Sequence, residues 1–593
     1  MVIVKGAGEA GRGEGVNFLE AWKKRTAVFA LVVLLSTLWA AAQKAQPAAL
    51  YLVQSQDLPI LFLLPFMTLL VLWWRPRWSL PDRLPPGWAL LLIGVAIAAL
   101  LAWAAYALLG NFPLSRDEHM VVFDMAVFDR GVLAVPLAPE WRPYATALVP
   151  KFLLNSNQPI GLVSGYLPMN AVLRLAFSKI ANPALYNPLL VVAGGAALLD
   201  IARRTFGADS RACWVVLLVY ALSAQVLVNA MTTFSMTGHL AFNLIWLAAF
   251  LRGGRWGHSA AILTAFVATG LHQLVFHPFF AAPFLLWKLR EGQWKLVLAY
   301  AAAYVAIILW WVCYPLIVAP LVADPAGHAS DANFISQRVI TLLMNRDPRT
   351  VPLTILNLLR FVAWQNVALW PLLIAAIPVA SRERGLARAA LLGVALWILF
   401  LALVLPEQGR GWGYRYLDGY EGSVALLAGY GYRELERRIG RQADGIVLLL
   451  SGLTVIVAMP LLFISIHRFM QPHLAMERLI AAQPTPFVVI DDNLSNPVDG
   501  RWADNALDHV RNSPDLTNRP LRFSADDLTP ALLARLCDKG PVTLITRADM
   551  HRMGFLFNVP ERSPRFDALV ATAGMQARGC FHAVAATART AGA

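Results

Sequence analysis

The run Leu90-Leu-Leu-Ile-Gly-Val-Ala-Ile-Ala-Ala-Leu-Leu-Ala-Trp-Ala-Ala-Tyr-Ala-Leu-Leu109 decides the architecture. It holds 20 residues without a charged side chain, enough for a helix to cross the hydrocarbon core of a bilayer. Leu296 to Val322 repeats the pattern. Inside lipid every backbone N–H and C=O needs an internal partner, which leaves helices or a closed barrel. These runs lack the alternation of barrel strands. Thirteen such runs begin near Thr26, Leu58, Gly87, Ala184, Cys213, Met236, Ala260, His277, Leu296, Leu353, Ala389, Glu421 and Gly445. The expectation is an all-α polytopic membrane protein of about thirteen transmembrane helices. Composition agrees: 58% of the 593 residues are hydrophobic and 15% charged, against roughly a quarter charged in soluble domains.

The net charge of +14 does not point to nucleic acid, because no basic stripe with interleaved aromatics is present. Seven clusters of its Lys and Arg sit in short loops: Lys23 to Arg25, Arg75 to Arg83, Arg203 to Arg211, Arg252 with Arg255, Lys288 to Lys295, Arg382 to Arg388 and Arg433 to Arg441. Alternate threading of thirteen spans places all seven clusters on one side, the cytoplasm by the positive-inside rule. For that count to hold, Ser164 to Ile180 lies along the outer surface as an amphipathic helix. The basic N-terminus ahead of an apolar run, with no small-residue cleavage site, reads as an uncleaved signal anchor.

Residues 1–25 then form a cytoplasmic N-terminus, 26–86 a pair of spans, and 87–466 the main transmembrane domain. Its outer loops cover 111–186, 323–352 and 406–418, and residues 467–593 form a soluble domain on the outer side. Phe487-Val-Val-Ile490 and Val542-Thr-Leu-Ile545 are strand-like and Leu528 to Cys537 helical, which predicts a small α/β module. Cys537 and Cys580 lie there and are expected to pair in an oxidising compartment. Cys213 and Cys313 fall in spans and read as packing residues.

Chemistry concentrates at Ser115-Arg-Asp-Glu-His119, just after the third span. Carboxylates at the mouth of a membrane helix are costly unless used or solvated. One of Asp117 and Glu118 can take a proton from an acceptor while its neighbour fixes geometry; a solvated helix end with anionic caps explains them equally well. Gly409-Arg-Gly-Trp-Gly-Tyr-Arg-Tyr416 sets Arg410, Tyr414 and Arg415 at an outer boundary. Arginine forks suit phosphate, and snorkelling in an interfacial belt is the other reading. His272 and His277 can hydrogen-bond phosphate, ligate metal or pack at the interface. Their spacing offers no third ligand. Asp324, His328 and Asp331 fit no cation template, so no cofactor is called for and a divalent cation is not favoured. Asp491-Asp492-Asn493 reads as a polar turn. Arg338 sits on an amphipathic stretch within reach of a phosphate.

The acidic pair opening the first large outer loop resembles the GT-C membrane glycosyltransferases, such as the protein O-mannosyltransferases and the aminoarabinose transferase acting on lipid A. The likeness continues through Gly165-Tyr-Leu-Pro-Met-Asn-Ala-Val-Leu-Arg174 and a span ending Ala202-Arg-Arg-Thr-Phe-Gly207. It covers residues 87 to 290, while residues 26–86 add two spans ahead of it. The resemblance implies a bacterial inner-membrane enzyme whose tail is periplasmic and whose donor is a polyprenyl-phosphate sugar. The acceptor would be a lipid, glycan or protein. Asp117 becomes the base, with Glu118 beside it. Arg410, Arg415, His272 and His277 would meet the donor phosphate, and Arg116, His119, Tyr166, Arg338 and Tyr414 the substrates. A flippase of lipid-linked saccharide and a non-catalytic envelope assembly protein are the alternatives. The first would call for ionisable groups at mid-membrane and repeated halves; the second leaves the acidic loop without a use.

Overall fold

A computed structural model describes residues 7–44, 48–149, 152–154, 159–208, 210–323, 349–406, 408–491, 509–555, 567–568, 571 and 579–584. Asp324, His328, Asp331, Arg338, Asp492 and Asn493 lie outside the described residues. The chain is a multi-pass α-helical membrane protein with a small α/β domain at its C-terminal end. Among the described residues, seven helices are long and apolar enough to cross a membrane: Phe18–Ala42, Ala49–Trp73, Gly87–Leu109, Pro183–Phe206, Trp294–Val322, Leu386–Val404 and Gln442–Ala481. Arg211–Ala221 and Ala224–Ala230, bent by 54°, make an eighth if taken as one broken span.

Other runs read as spans form helices that are shorter or more polar. Met236–Arg252 and Glu421–Ile439 are mostly buried, and their polar residues His239, Asn243, Glu421 and Ser423 face protein. Gly87–Leu109 and Trp294–Val322 instead turn Leu91, Trp103, Leu298, Leu309 and Leu316 outward, the arrangement that apolar solvent favours. The run from Leu353 is not one helix but two, Thr350–Ala363 and Leu369–Arg382. Asn366 makes the break. Its Oδ1 accepts from the Ala368 N–H at 3.0 Å, and its Nδ2 donates to Ser451 Oγ at 3.0 Å, so side-chain bonds replace the helical ladder. The segment 164–180 contains a single helix, Met169–Ser178, burying Asn170, Ala171 and Arg174.

The last long helix runs through position 467. A π-helical turn at Thr454–Ala458 joins Gln442–Leu453 to Met459–Ala481, so the helix continues 15 residues past 466. Arg468, Glu477 and Arg478 mark where the helix becomes polar rather than where it stops. The α/β part begins with β3, Phe487–Ile490, after a two-strand pairing of β1 (Val135–Pro136) with β2 (Gly161–Leu162) in the long loop that follows Gly87–Leu109. Strands β4 (Leu521–Ser524), β5 (Val542–Ile545) and β6 (Phe581–Ala583) complete a parallel sheet in the order β4-β3-β5-β6. All four residues of β3 are buried, which explains its unbroken apolar run.

The two faces of this sheet have different partners. Phe487, Val489 and Phe523 share one core with Met120, Phe123, Val127 and Trp141 of the long segment between Gly87–Leu109 and Pro183–Phe206. Val488, Ile490 and Ile545 pack on Met476, Leu479 and Ile480 of the last long helix. Arg130 pairs with Asp515 at 2.6 Å, and Asn512 Nδ2 donates to the Leu148 carbonyl at 2.6 Å. The soluble domain is therefore docked on the loop that carries the acidic pair.

A disulfide joins Cys537, on helix Pro530–Lys539, to Cys580 at the entry to β6, 43 positions apart. Closing a loop of that size restricts the unfolded chain. Replacing both cysteines by serine is expected to lower the stability of this domain by about 3 kcal/mol. Limited proteolysis with and without reductant checks this, with equal protection counting against it.

Candidate active site

Ser115 starts the site. Its hydroxyl accepts from the Glu118 N–H at 3.2 Å, and Glu118 Oε2 accepts from the Ser115 N–H at 3.1 Å. This reciprocal cap begins helix Arg116–Phe128 and satisfies two otherwise orphaned donors. It also separates two carboxylates that look alike in sequence. Glu118 is 1% exposed. Its Oε1 accepts from the Thr233 N–H at 3.3 Å, and its carbonyl from Thr233 Oγ1 at 3.1 Å. Burial pushes the Glu118 carboxyl up to about 7, against the lowering pull of those backbone donors. Glu118 is thus bound into the fold by its own cap and by Thr233.

Asp117, one residue earlier, turns to a different set of partners. Tyr166 donates its hydroxyl to Asp117 Oδ1 at 2.6 Å. Arg415 Nη1 donates to Asp117 Oδ2 at 2.5 Å. Burial alone would raise this carboxyl, but the Arg415 charge, then His272, and the Tyr166 hydroxyl hold it below the usual range. Burial depresses His272 itself to about 4. Its imidazole is therefore uncharged at neutral pH, and there Arg415 and Tyr166 keep Asp117 ionised.

Tyr166 is placed by a turn. Ser164 Oγ accepts from the Tyr166 N–H at 3.0 Å, while the Ser164 N–H donates to Asp124 Oδ1 at 2.9 Å. The His272 ring lies 4.3 Å from the Tyr166 ring. Asp124, pushed up by burial to about 8, is a second carboxyl that serves structure.

Arg415 comes from the glycine-rich loop. Its Nε donates to the Gln408 carbonyl at 3.0 Å, and Nη2 reaches the same oxygen. The guanidinium carbon lies 4.7 Å from the Phe234 ring centre and 5.1 Å from that of Tyr416. Gly411 is required by space: a Cβ there would sit 2.6 Å from Arg415 Cδ. Gly413 has φ +60°, and a Cβ would meet Gln225 Oε1 at 2.4 Å. That oxygen accepts from the Tyr414 N–H at 2.9 Å, and Gln225 Nε2 donates to the Tyr414 carbonyl at 3.1 Å.

Asp117, Tyr166, Arg415 and His272 thus meet at one place. The other residues singled out by sequence are distributed around it. Arg410 turns to the last long helix, with Nη1 3.2 Å from His473 Nε2 and its guanidinium over Phe469. His277 is buried between Asn243 Oδ1 at 2.8 Å and the Tyr304 hydroxyl at 3.0 Å, in a network of its own. His119 is buried against Phe123 and kept uncharged by burial and by Arg511. The Arg116 guanidinium lies 5.8 Å from the Phe152 ring centre, and Tyr414 is 1% exposed. Among the described residues, no group of three or more His, Cys, Asp or Glu converges as a metal site.

Sequence reading missed Thr233, Gln225, Asn229 and Asp418. Asn229 Nδ2 donates to Asp418 Oδ1 at 3.2 Å beneath the arginine loop. A signal existed: Gln225 and Asn229 stand four apart on a short helix within an apolar run, so both face one side.

No family model and no curated protein matches the chain. It is similar to two solved structures of ArnT from Cupriavidus metallidurans, one bound to undecaprenyl phosphate and one in the apo state. The identities are 14% and 13% and the TM-scores 0.49 and 0.45; each match covers 72% of this chain and, respectively, 86% and 84% of the other. With identity so low, function has to be argued from the site itself.

The raised Glu118 carboxyl has a consequence for stability. The folded protein holds that proton more tightly than the unfolded chain does. The contribution is therefore fully present below 4.5 and is lost as pH rises through about 7. Thermal unfolding of wild type is expected to show this loss and Glu118→Gln to lack it. An identical pH slope in the two would assign the titration to another group.

Proposed function

We propose that the chain is a GT-C-type glycosyltransferase. It moves a sugar from a polyprenyl-phosphate donor to a lipid, glycan or protein acceptor at the periplasmic face of a bacterial inner membrane. One observation carries the reading: Arg415 and Asp117, 298 positions apart, form an ion pair at 2.5 Å. A carboxylate for an acceptor proton and a guanidinium for a phosphate are what such a transfer needs. Burial of Arg415 at 3% exposure strengthens its field relative to an arginine in water.

The chemistry follows from the pairing. The acceptor's X–H gives its proton to Asp117 as X bonds to the anomeric carbon. The carbon–oxygen bond to the lipid phosphate breaks, and its electron pair leaves on the phosphate oxygen. Asp117 accepts bonds at both oxygens from Tyr166 and Arg415, yet a carboxylate has about four acceptor positions, so room for the acceptor proton is left. An arriving phosphate competes for the Arg415 fork. As Arg415 turns to it, the restraint on Asp117 relaxes and its proton affinity rises. Donor binding therefore readies the base. In this scheme Arg415 and His272 flank the leaving phosphate, and Tyr166 orients the carboxylate.

Transfer of labelled sugar from a panel of polyprenyl-phosphate sugars, with purified protein and host lipid extract, tests the proposal. Asp117→Asn should cut transfer by about 10²- to 10⁴-fold with insertion intact; full activity in that variant would sink the assignment. Arg415→Gln removes the cation that holds Asp117 down, so the acid limb of kcat/KM should move to higher pH in the residual activity. A limb that stays put would show that Asp117 is not the base.

A further inference from the structure

The pair of spans in residues 26–86 lies outside the stretch that resembles the glycosyltransferases, and the transfer chemistry makes no use of it. Its second member is interrupted: Ala48–Leu52 and Leu58–Trp73 are joined by a π-helical turn at Val53–Asp57. Such bulges often occur at functional positions in helices. Here the turn carries Gln56 and Asp57, 1% and 0% exposed.

Both reach Arg360, on Thr350–Ala363, whose side chain is also 0% exposed. Arg360 Nε donates to Asp57 Oδ2 at 3.1 Å, and Nη2 to Gln56 Oε1 at 3.1 Å. Trp364 Nε1 donates to Asp57 Oδ1 at 2.7 Å. Arg360 Nη2 also donates to the Gly411 carbonyl at 2.8 Å. Gly411 is the residue on which the Arg415 side chain lies.

We infer that the N-terminal pair of spans is a clamp on the arginine loop, with Asp57 and Arg360 as positioning residues for Arg415. The inference rests on the proposed transferase function. Apolar packing would hold two membrane helices together without removing two charges from water, a costly step. The pair does what packing does not: one rigid fork spans a carboxylate on one helix and a backbone carbonyl on the loop. That loop contains Gly409, Gly411 and Gly413, so its backbone has little stiffness of its own. Gln225 holds its far side at Tyr414 and Arg360 its near side at Gly411. A shift of about 1 Å in a catalytic group can cost 10²-fold in rate, which makes such bracing consequential.

Arg360→Lys in the full chain tests this. Lysine keeps the charge opposite Asp57 but lacks the fork that also reaches Gly411. Hydrogen exchange in lipid nanodiscs should quicken by about tenfold or more at Gly409 to Tyr416 and stay unchanged elsewhere. With a lipid-phosphate sugar donor, kcat should fall by about 10- to 100-fold. The Arg360→Lys, Arg415→Lys double variant should be little worse than the poorer single one, because both act through the same guanidinium. Unchanged exchange, exchange raised throughout the chain, or losses that simply multiply would each overturn the clamp. If Arg360→Lys does not insert, Trp364→Phe removes only the indole donor to Asp57 and is judged by the same outcomes. If wild type transfers from no donor, the proposed function falls and loop exchange alone decides the clamp.

Discussion

Asp117 and Arg415 are two charges held largely out of water, with side chains 12% and 4% exposed. Neither is stable there without the other and without further hydrogen bonds. That requirement organises the site around it. Arg415 spends one arm on Asp117 and the rest of its fork on the Gln408 carbonyl, so its own loop folds around it. Asp117 takes its second bond from Tyr166, which draws in the turn at Ser164 and the ring of His272. Removing any one of these leaves a buried polar group unmatched, which costs more than the bond itself contributes.

The three carboxyl groups Asp117, Glu118 and Asp124 of helix Arg116–Phe128 divide by what they face. Glu118 and Asp124 accept mainly from backbone N–H groups and are pushed upward by burial to about 7 and 8. Asp117 faces a guanidinium and is held low. The same chemical group on one helix thus ties down neighbouring backbone in two cases and faces an arginine in the third. What differs is the element that arrives opposite each one.

The α/β domain takes part in this arrangement. Its sheet is sandwiched between the loop that carries the acidic pair and the last long helix, so it braces the segment from which Asp117 projects. At that junction Arg522 Nη1 donates to both oxygens of Glu477, at 3.0 and 2.8 Å, and His509 Nδ1 lies 2.6 Å from Glu477 Oε1. Charged pairs of this kind set register between two bodies whose apolar contacts alone would tolerate sliding.

Much of the architecture was legible in the chain. Leu90 to Leu109 had to be a membrane helix, and Phe487 to Ile490 a buried strand, because hydropathy and periodicity act over a few neighbouring residues. The acidic pair and the glycine-rich arginine loop stood out because charge and glycine are unusual beside apolar runs. Less was legible where the outcome depended on a distant partner. The break at Asn366 is made by Ser451 and Thr454, and the helical continuation past His467 by packing under the sheet. By itself the sequence determined which segments are most apolar, and that two carboxylates and two arginines stand beside them. Only the tertiary structure decided that Asp117 rather than Glu118 meets Arg415, that Arg410 turns away toward His473, and that Asp57 reaches the arginine loop through Arg360. The reason is physical: solvation preference is a property of each residue, whereas an ion pair between positions 298 apart exists only once the chain has folded.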